Sequence, residues 1–235
     1  MIKKKYKPKS SFFKFLEIKK SKNRKVYFYQ GWHDIIIFRI EILKSIKKKL
    51  FLKHYLTEKS DGKEKAFIVT KGKAIFKDEK NFKKNLNKYD CLHTNKSIGN
   101  FEIRSNKGTQ LFIILSKKKM SGIKKVNFFN FEKNLKKVDL WGGKCISRVF
   151  HGSKMTLVLF KLKKGFKFYD KGHKNEQITW LIKGKMKFYV KNKKSSLIAN
   201  KTAVDIGSYD FHGGKSYGAV GFDAFSPKRV EKRYA

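Results

Sequence analysis

Two distant stretches of this chain are versions of one pattern. Phe67-Ile68-Val69-Thr70-Lys71-Gly72-Lys73-Ala74-Ile75-Phe76 is answered by Thr179-Trp180-Leu181-Ile182-Lys183-Gly184-Lys185-Met186-Lys187-Phe188. Each is an apolar run, a Lys-Gly turn and a second strand-like run. Ile35 to Ile40 matches Leu157 to Leu162, and Asn100-Phe101-Glu102 matches Asp210-Phe211-His212. Phe112 to Lys117 then matches Phe222 to Pro227. The matches keep their order in both halves, which implies two homologous all-β domains. We expect them over residues 1–120 and 135–235, with a Lys- and Asn-rich linker within Lys117 to Leu135.

Helical periodicity is scarce. Asp34 could cap a helix running to Lys53, but the run Ile35-Ile36-Ile37-Phe38-Arg39-Ile40 is β-branched and reads as a strand. Short strands with turns between them, at regular intervals, point to a sandwich or barrel. The 235 residues suffice for two domains, and a hydrophobic content of 40% can fill their cores. No apolar run approaches the ~20 residues of a membrane span. The N-terminus has a basic start but neither an apolar centre nor a small-residue cleavage site, so no secretory signal is read there. Two cysteines, Cys91 and Cys145, make no disulfide framework and are expected as unreactive core thiols, consistent with a cytoplasmic protein.

The formal net charge of +41 raises the question of a polyanionic partner. The charge is almost all lysine, spread evenly, and only six residues are arginine: Arg24, Arg39, Arg104, Arg148, Arg229 and Arg233. Nucleic-acid sites favour arginine for bidentate and stacking contacts. The expectation is therefore a solvated basic surface, with no specific nucleic-acid partner and no membrane partner; a homodimer is compatible with the sequence.

The residues with chemical potential cluster in the second half. Gly165 is followed at fixed spacing by Lys171, His173, Gln177 and Gly184, and Ile206-Gly207-Ser208-Tyr209-Asp210-Phe211-His212-Gly213-Gly214 supplies another histidine. Side chains alternate along a strand, so Lys171, His173 and Gln177 can face one side if the turn between them preserves the alternation. Neutral imidazoles suit Zn, Fe, Ni or Cu. This spacing resembles the first and second motifs of the cupin superfamily. There the first motif carries His-x-His and a Glu between two glycines, and the second carries one more His. Residues from about Leu140 to Arg229 resemble the small cupins grouped with the pectin-degradation protein that opens unsaturated uronate rings. Asn175-Glu176-Gln177 matches the end of that group's first motif, and Asp223 to Arg229 resembles the close of many small cupins.

The resemblance implies two cupin-type double-stranded β-helix, or jelly-roll, barrels in tandem. It also implies a divalent metal (Zn, Ni, Fe or Mn) held by His173, Gln177 and His212. Lys171 and Gln177 stand where the family has His and Glu, so the ligand set is thinner than the family's. His151 is another imidazole that could complete it. Lys171 is either a surface lysine or a catalytic pocket cation that binds a substrate carboxylate. The function implied is metal-dependent isomerisation or lysis of a small acidic metabolite, a sugar acid first. The rivals are a non-enzymatic small-molecule binder, an iron-dependent dioxygenase and a polyanion-binding protein. In the first half the ligand slots fall on Lys59, Asp61 and Lys65, with Glu102 near the slot of His212. The remaining histidines, His33, His54 and His93, have no ligand spacing, so no catalytic metal is expected there. Trp32, Trp141 and Trp180 are read as core or rim residues rather than a sugar platform.

Overall fold

The structure, a computed structural model, describes residues 10–20, 22–30, 34–44, 62–78, 82–96, 101–119 and 126–230. They form eighteen strands. In chain order these are β1 (Ser11–Lys14), β2 (Leu16–Lys20), β3 (Arg24–Gln30), β4 (Ile35–Ile42), β5 (Lys63–Lys71), β6 (Ala74–Asp78), β7 (Lys83–Leu86), β8 (Asp90–Thr94) and β9 (Phe101–Ser105). There follow β10 (Gln110–Lys119), β11 (Val126–Asn130), β12 (Lys137–Leu140), β13 (Cys145–His151), β14 (Thr156–Asp170), β15 (Glu176–Val190), β16 (Lys193–Ile198), β17 (Thr202–Ile206) and β18 (His212–Ser226). Asp34 opens no helix; the β-branched run behind it is β4, as branched side chains on a pleated surface favour. Among the described residues no helix is long and apolar enough to cross a membrane.

The chain divides into two compact units. The N-terminal unit is built from Phe15–Gln30 and Ile36–Leu135, and the C-terminal unit from Met1–Lys14, Gly31–Ile35 and Lys136–Ala235. The main sheet of the N-terminal unit runs β11-β8-β5-β10-β4-β3-β2, and that of the C-terminal unit runs β1-β17-β15-β18-β14-β13-β12, with β16 on β15. The two orders correspond strand for strand, and so do the registers. Ile68 faces Phe112 across β5 and β10, while Trp180 faces Phe222 across β15 and β18, both pairs being the residues matched in the repeat. Likewise Lys65 faces Thr94 where Gln177 faces Ile206. The C-terminal strands β14, β15 and β18 are long and continuous. In the N-terminal unit β6 and β9 take the places of the outer parts of β15 and β18, and with β7 they form a separate sheet, β7-β6-β9.

Two strands pair across the expected bounds. The N-terminal strand β1 belongs to the second half's sheet. It pairs with β17 from Ser11 opposite Asp205 to Lys14 opposite Thr202. Ser10 anchors it there: its hydroxyl bonds the Asp210 carboxylate and accepts from Gly207 N at 2.9 Å. Phe12 packs on the C-terminal core, edge-on to Phe188. The stretch expected as linker contains β11, which pairs along β8 and covers its outer edge. An uncovered edge strand leaves a row of unpaired N–H and C=O groups, so each unit gains by the strand laid on it.

The repeat is one of backbone register, and its side chains have diverged. Gln177, Thr179 and Asp223 of the C-terminal unit correspond by register to Lys65, Phe67 and Ile113. Phe67 and Ile113 join Val69 and Leu111 in the N-terminal core, while Lys65 is fully buried with its ammonium on the Lys63 carbonyl at 2.7 Å. Lys59 and Asp61 lie outside the described residues, as do His33, His54 and Trp32. Glu102 bonds Arg104 on β9, and His93 bonds the buried Glu64 carboxylate at 2.7 Å.

Candidate functional site

The C-terminal unit holds an open cavity of about 80 Å³ between β13, β14, β15 and β18. Among mostly apolar lining residues it carries the polar Asp170, Gln177, Thr179, His212, Asp223 and Arg229. Strand pairing puts the polar groups together. Asp170 lies opposite His212 across β14 and β18, and Thr179 lies opposite Asp223 across β15 and β18. Gln177 is two residues from Thr179 and so shares its face.

His173 and His212 meet edge to face, with ring centroids 5.4 Å apart. Donor atoms of Asp170, His173 and His212 all lie within 4.8 Å of one another, and among the described residues this is the group of His, Cys and acidic side chains placed to hold an ion. Imidazole and carboxylate donors sit at about 2.0–2.2 Å from a first-row divalent ion. A slight closing of these side chains therefore brings all three around one cation.

Each imidazole is oriented by its surroundings. The Asp210 carbonyl, 2.9 Å from His212 Nδ1, can only accept, so Nδ1 carries the proton and Nε2 the lone pair. The His212 ring lies parallel to Phe188 at 6.1 Å. His173 Nε2 is 2.9 Å from Gln177 Oε1. That spacing is a hydrogen bond when Nε2 carries a proton, and an edge of a coordination shell when a cation replaces the proton. His173 Nδ1 is buried without a hydrogen-bond partner. Burial pushes the His173 pKa below its usual value, and neighbouring His212 adds to the fall; the Gln177 hydrogen bond, Asp170 and the Asn175 backbone oppose it. The neutral ring is the form that binds metal, and two imidazoles with one carboxylate are a donor set that suits a first-row divalent ion.

The predicted residues separate here. His173 and His212 converge. Gln177 lies beside them, its amide also bonded to Thr179 and Asp223. Lys171 does not join them: it is exposed and absent from the cavity wall. The reason is the turn. Asp170 Oδ1 accepts from Gly172 N at 2.9 Å, and Gly172 has φ +98°, so the chain leaves the strand after Asp170 and the expected alternation breaks. Asp170, one residue earlier, takes the inward place. His151 is elsewhere, bonded to Thr156 on β13 and β14.

Sequence reasoning also missed Arg229. It is 3% exposed, sits 4.8 Å over the Phe225 ring and lies 3.4 Å from Asp170 Oδ2 through Nη2. Its backbone is tied to Thr156, whose hydroxyl accepts from Arg229 N at 3.0 Å. The available signal was the scarcity of arginine in a chain that otherwise uses lysine. Of the tryptophans, Trp180 is core, stacked on Phe222, and Trp141 is half exposed at the cavity rim.

Cys145 lines the same cavity, and burial pushes its thiol up to about 11, against a lowering hydrogen bond from Ser147 and with a further rise from Asp223 and Asp139. A raised thiol pKa means the neutral form is favoured. At pH 8 about a thousandth of it is thiolate, so the native protein should alkylate at Cys145 far more slowly than the unfolded chain. Equal rates with iodoacetamide, read by mass spectrometry, would place the thiol in a different environment.

No family model matches this chain, and no curated protein matches it in sequence. Solved structures do match. Oxalate decarboxylase from Bacillus subtilis superposes with a TM-score of 0.71 over 94% of this chain and 78% of that one, at 9% identity. AerE from Microcystis aeruginosa gives 0.67 over 93% and 99%, at 15% identity. The E. coli protein YlbA gives 0.69 over 95% and 93%, at 10% identity. Identities this low speak to fold alone. Together with the motif that begins at Gly165 and the strand order on which it sits, they assign this chain to the cupin fold.

Proposed function

We propose that the chain is a bicupin whose C-terminal barrel binds a divalent metal and acts on a small carboxylic acid, while its N-terminal barrel serves packing. The observation that carries this reading is the convergence of Asp170, His173 and His212, of which Asp170 and His212 line a cavity that also holds a buried arginine. These residues would hold the ion, and the ion would supply a Lewis acid that polarises a carbonyl or hydroxyl oxygen. Asp170 and Asp223 bring two negative charges to the wall and Arg229 one positive charge, so a divalent cation leaves the cavity favourable to an anion. Arg229, rather than Lys171, is the cation within reach of a substrate carboxylate. The oxalate decarboxylase among the similar structures is named for oxalate, a small dicarboxylate.

Isomerisation or lysis remains our first reading of the chemistry. The donor set of two histidines and one carboxylate favours a second, an iron-dependent dioxygenase, because that set leaves positions open on iron. Oxygen consumption with ferrous iron separates the two. For its setting we propose the cytoplasm, in keeping with two buried free cysteines, and we read the dispersed lysines as a solvated surface.

The test is thermal unfolding of metal-stripped protein, first with Zn, Ni, Mn or ferrous ions and then with short mono- and dicarboxylates. A ligand at a hundred times its Kd stabilises by about 2.7 kcal/mol. Arg229→Met should lose the carboxylate-dependent shift and only reduce the metal-dependent one, since Arg229 pairs with the ligand Asp170; Lys171→Met should keep both. An unchanged carboxylate shift in Arg229→Met, or no metal shift in the native protein, would overturn the corresponding half of the reading.

A further inference from the structure

The acidic slot of the first motif holds an amide, and an acid stands directly behind it. Gln177 Oε1 faces His173 Nε2 at 2.9 Å. Gln177 Nε2 donates to Thr179 Oγ1 at 2.9 Å and to Asp223 Oδ1 at 3.1 Å. The Thr179 hydroxyl donates to the same Asp223 oxygen at 2.6 Å. Thr179 and Asp223 are a cross-strand pair, so the sheet itself fixes this triangle.

A carboxylate has no proton to give at neutral pH. Against Asp223 an amide therefore has one stable orientation, NH₂ toward the acid and oxygen toward His173. We propose that Asp223 is a positioning residue for the metal centre. It turns the Gln177 oxygen toward the cation held by Asp170, His173 and His212. It also supplies, one residue further out, the negative charge that the slot itself lacks. Without Asp223 the amide has no reason to prefer that orientation, and the reversed one aims two N–H dipoles at a cation. The repeat provides a comparison inside the same chain. In the N-terminal unit the registers of Gln177, Thr179 and Asp223 fall on Lys65, Phe67 and Ile113, and the triangle is replaced by one buried lysine and apolar packing.

This inference rests on the metal-binding reading, and the experiment separates the two. Co²⁺ and Ni²⁺ affinities of the metal-stripped full chain are measured by equilibrium dialysis, with the Co²⁺ absorption spectrum as a report on the ligand field. Circular dichroism checks the fold. Asp223→Asn should weaken binding by about 10- to 100-fold, the usual cost of removing a group that orients a ligand, and should alter the Co²⁺ spectrum. The double variant Gln177→Glu with Asp223→Asn exchanges acid and amide, so the new amide donates to the new carboxylate. It should recover affinity to within a few-fold of the native chain. If Asp223→Asn alone does not fold, the double variant carries the test, and a folded double variant without metal uptake overturns the proposal. Native affinity and spectrum in Asp223→Asn overturn this inference and leave the metal site standing. No uptake by the native chain overturns both.

Discussion

His212→Ala should abolish the uptake of a divalent ion by the C-terminal unit, lowering affinity by more than the roughly hundredfold that follows loss of an orienting group, and should leave the sheet folded. The ring sits at the first position of β18, with its tautomer set by the Asp210 carbonyl and its plane by Phe188. Truncation removes a donor from a group of three whose atoms already lie within 4.8 Å of one another. It enlarges an existing cavity and opens no new void in close packing, so the stability cost should stay at about 2 kcal/mol, the low end for removing a large buried side chain. His151→Ala is the matched control: that ring is bonded to Thr156 and belongs to no ligand group, so uptake should be unchanged. Elemental analysis after dialysis reads both variants, and urea unfolding reads the fold. Near-native metal content in His212→Ala would remove the site from the argument altogether.

What could be read in the residues beforehand was the backbone, and what could not was the outcome of individual turns. The repeat carried the registers because inward and outward positions must alternate in a sheet, and a slip of one residue would turn the whole core to solvent. Thus Ile68 with Phe112, and Trp180 with Phe222, are the same pair twice. Strand exchange was not legible, since nothing local in Ser11 to Lys14 says which of two similar sheets it will cover. At the site, His173 and His212 followed from motif spacing. Lys171 did not reach the cavity because parity holds only within a strand, and an Asp-x-Gly turn ends β14 at Asp170. That turn had a signature, a short acidic side chain two residues before a glycine. Asp223 had one as well: a lone charge within Phe222, Ala224 and Phe225 needs partners on whichever face it takes. Both signals concern the charge balance of a pocket, which spacing alone does not reveal.

Gly184→Ala should destabilise the C-terminal unit by about 3–5 kcal/mol, while Gly165→Ala should cost only about 1–2 kcal/mol. The two glycines bound the same motif and both adopt left-handed backbone, with φ +85° at Gly165 and +80° at Gly184. For an L-residue that conformation alone carries the smaller penalty. They differ in their surroundings. A Cβ on Gly165 meets nothing within 4 Å, whereas on Gly184 it would overlap the Gly218 carbonyl oxygen and lie 2.9 Å from its carbon. The obstacle is backbone of the paired strand β18, held by ladder bonds on either side of the β15 irregularity at Gly184, so no side-chain rotation relieves it. The strand must separate locally or the bulge must move, and either breaks ladder hydrogen bonds. Gly72, the matching glycine in the N-terminal unit, has φ +74° and a Cβ position 2.9 Å from the Thr109 Cα, so Gly72→Ala should be costly for the same reason. Urea unfolding of the variants, followed by tryptophan fluorescence and circular dichroism, measures the difference. Equal stabilities for Gly184→Ala and Gly165→Ala would mean that the close approach of β15 to β18 is not what the motif glycine serves.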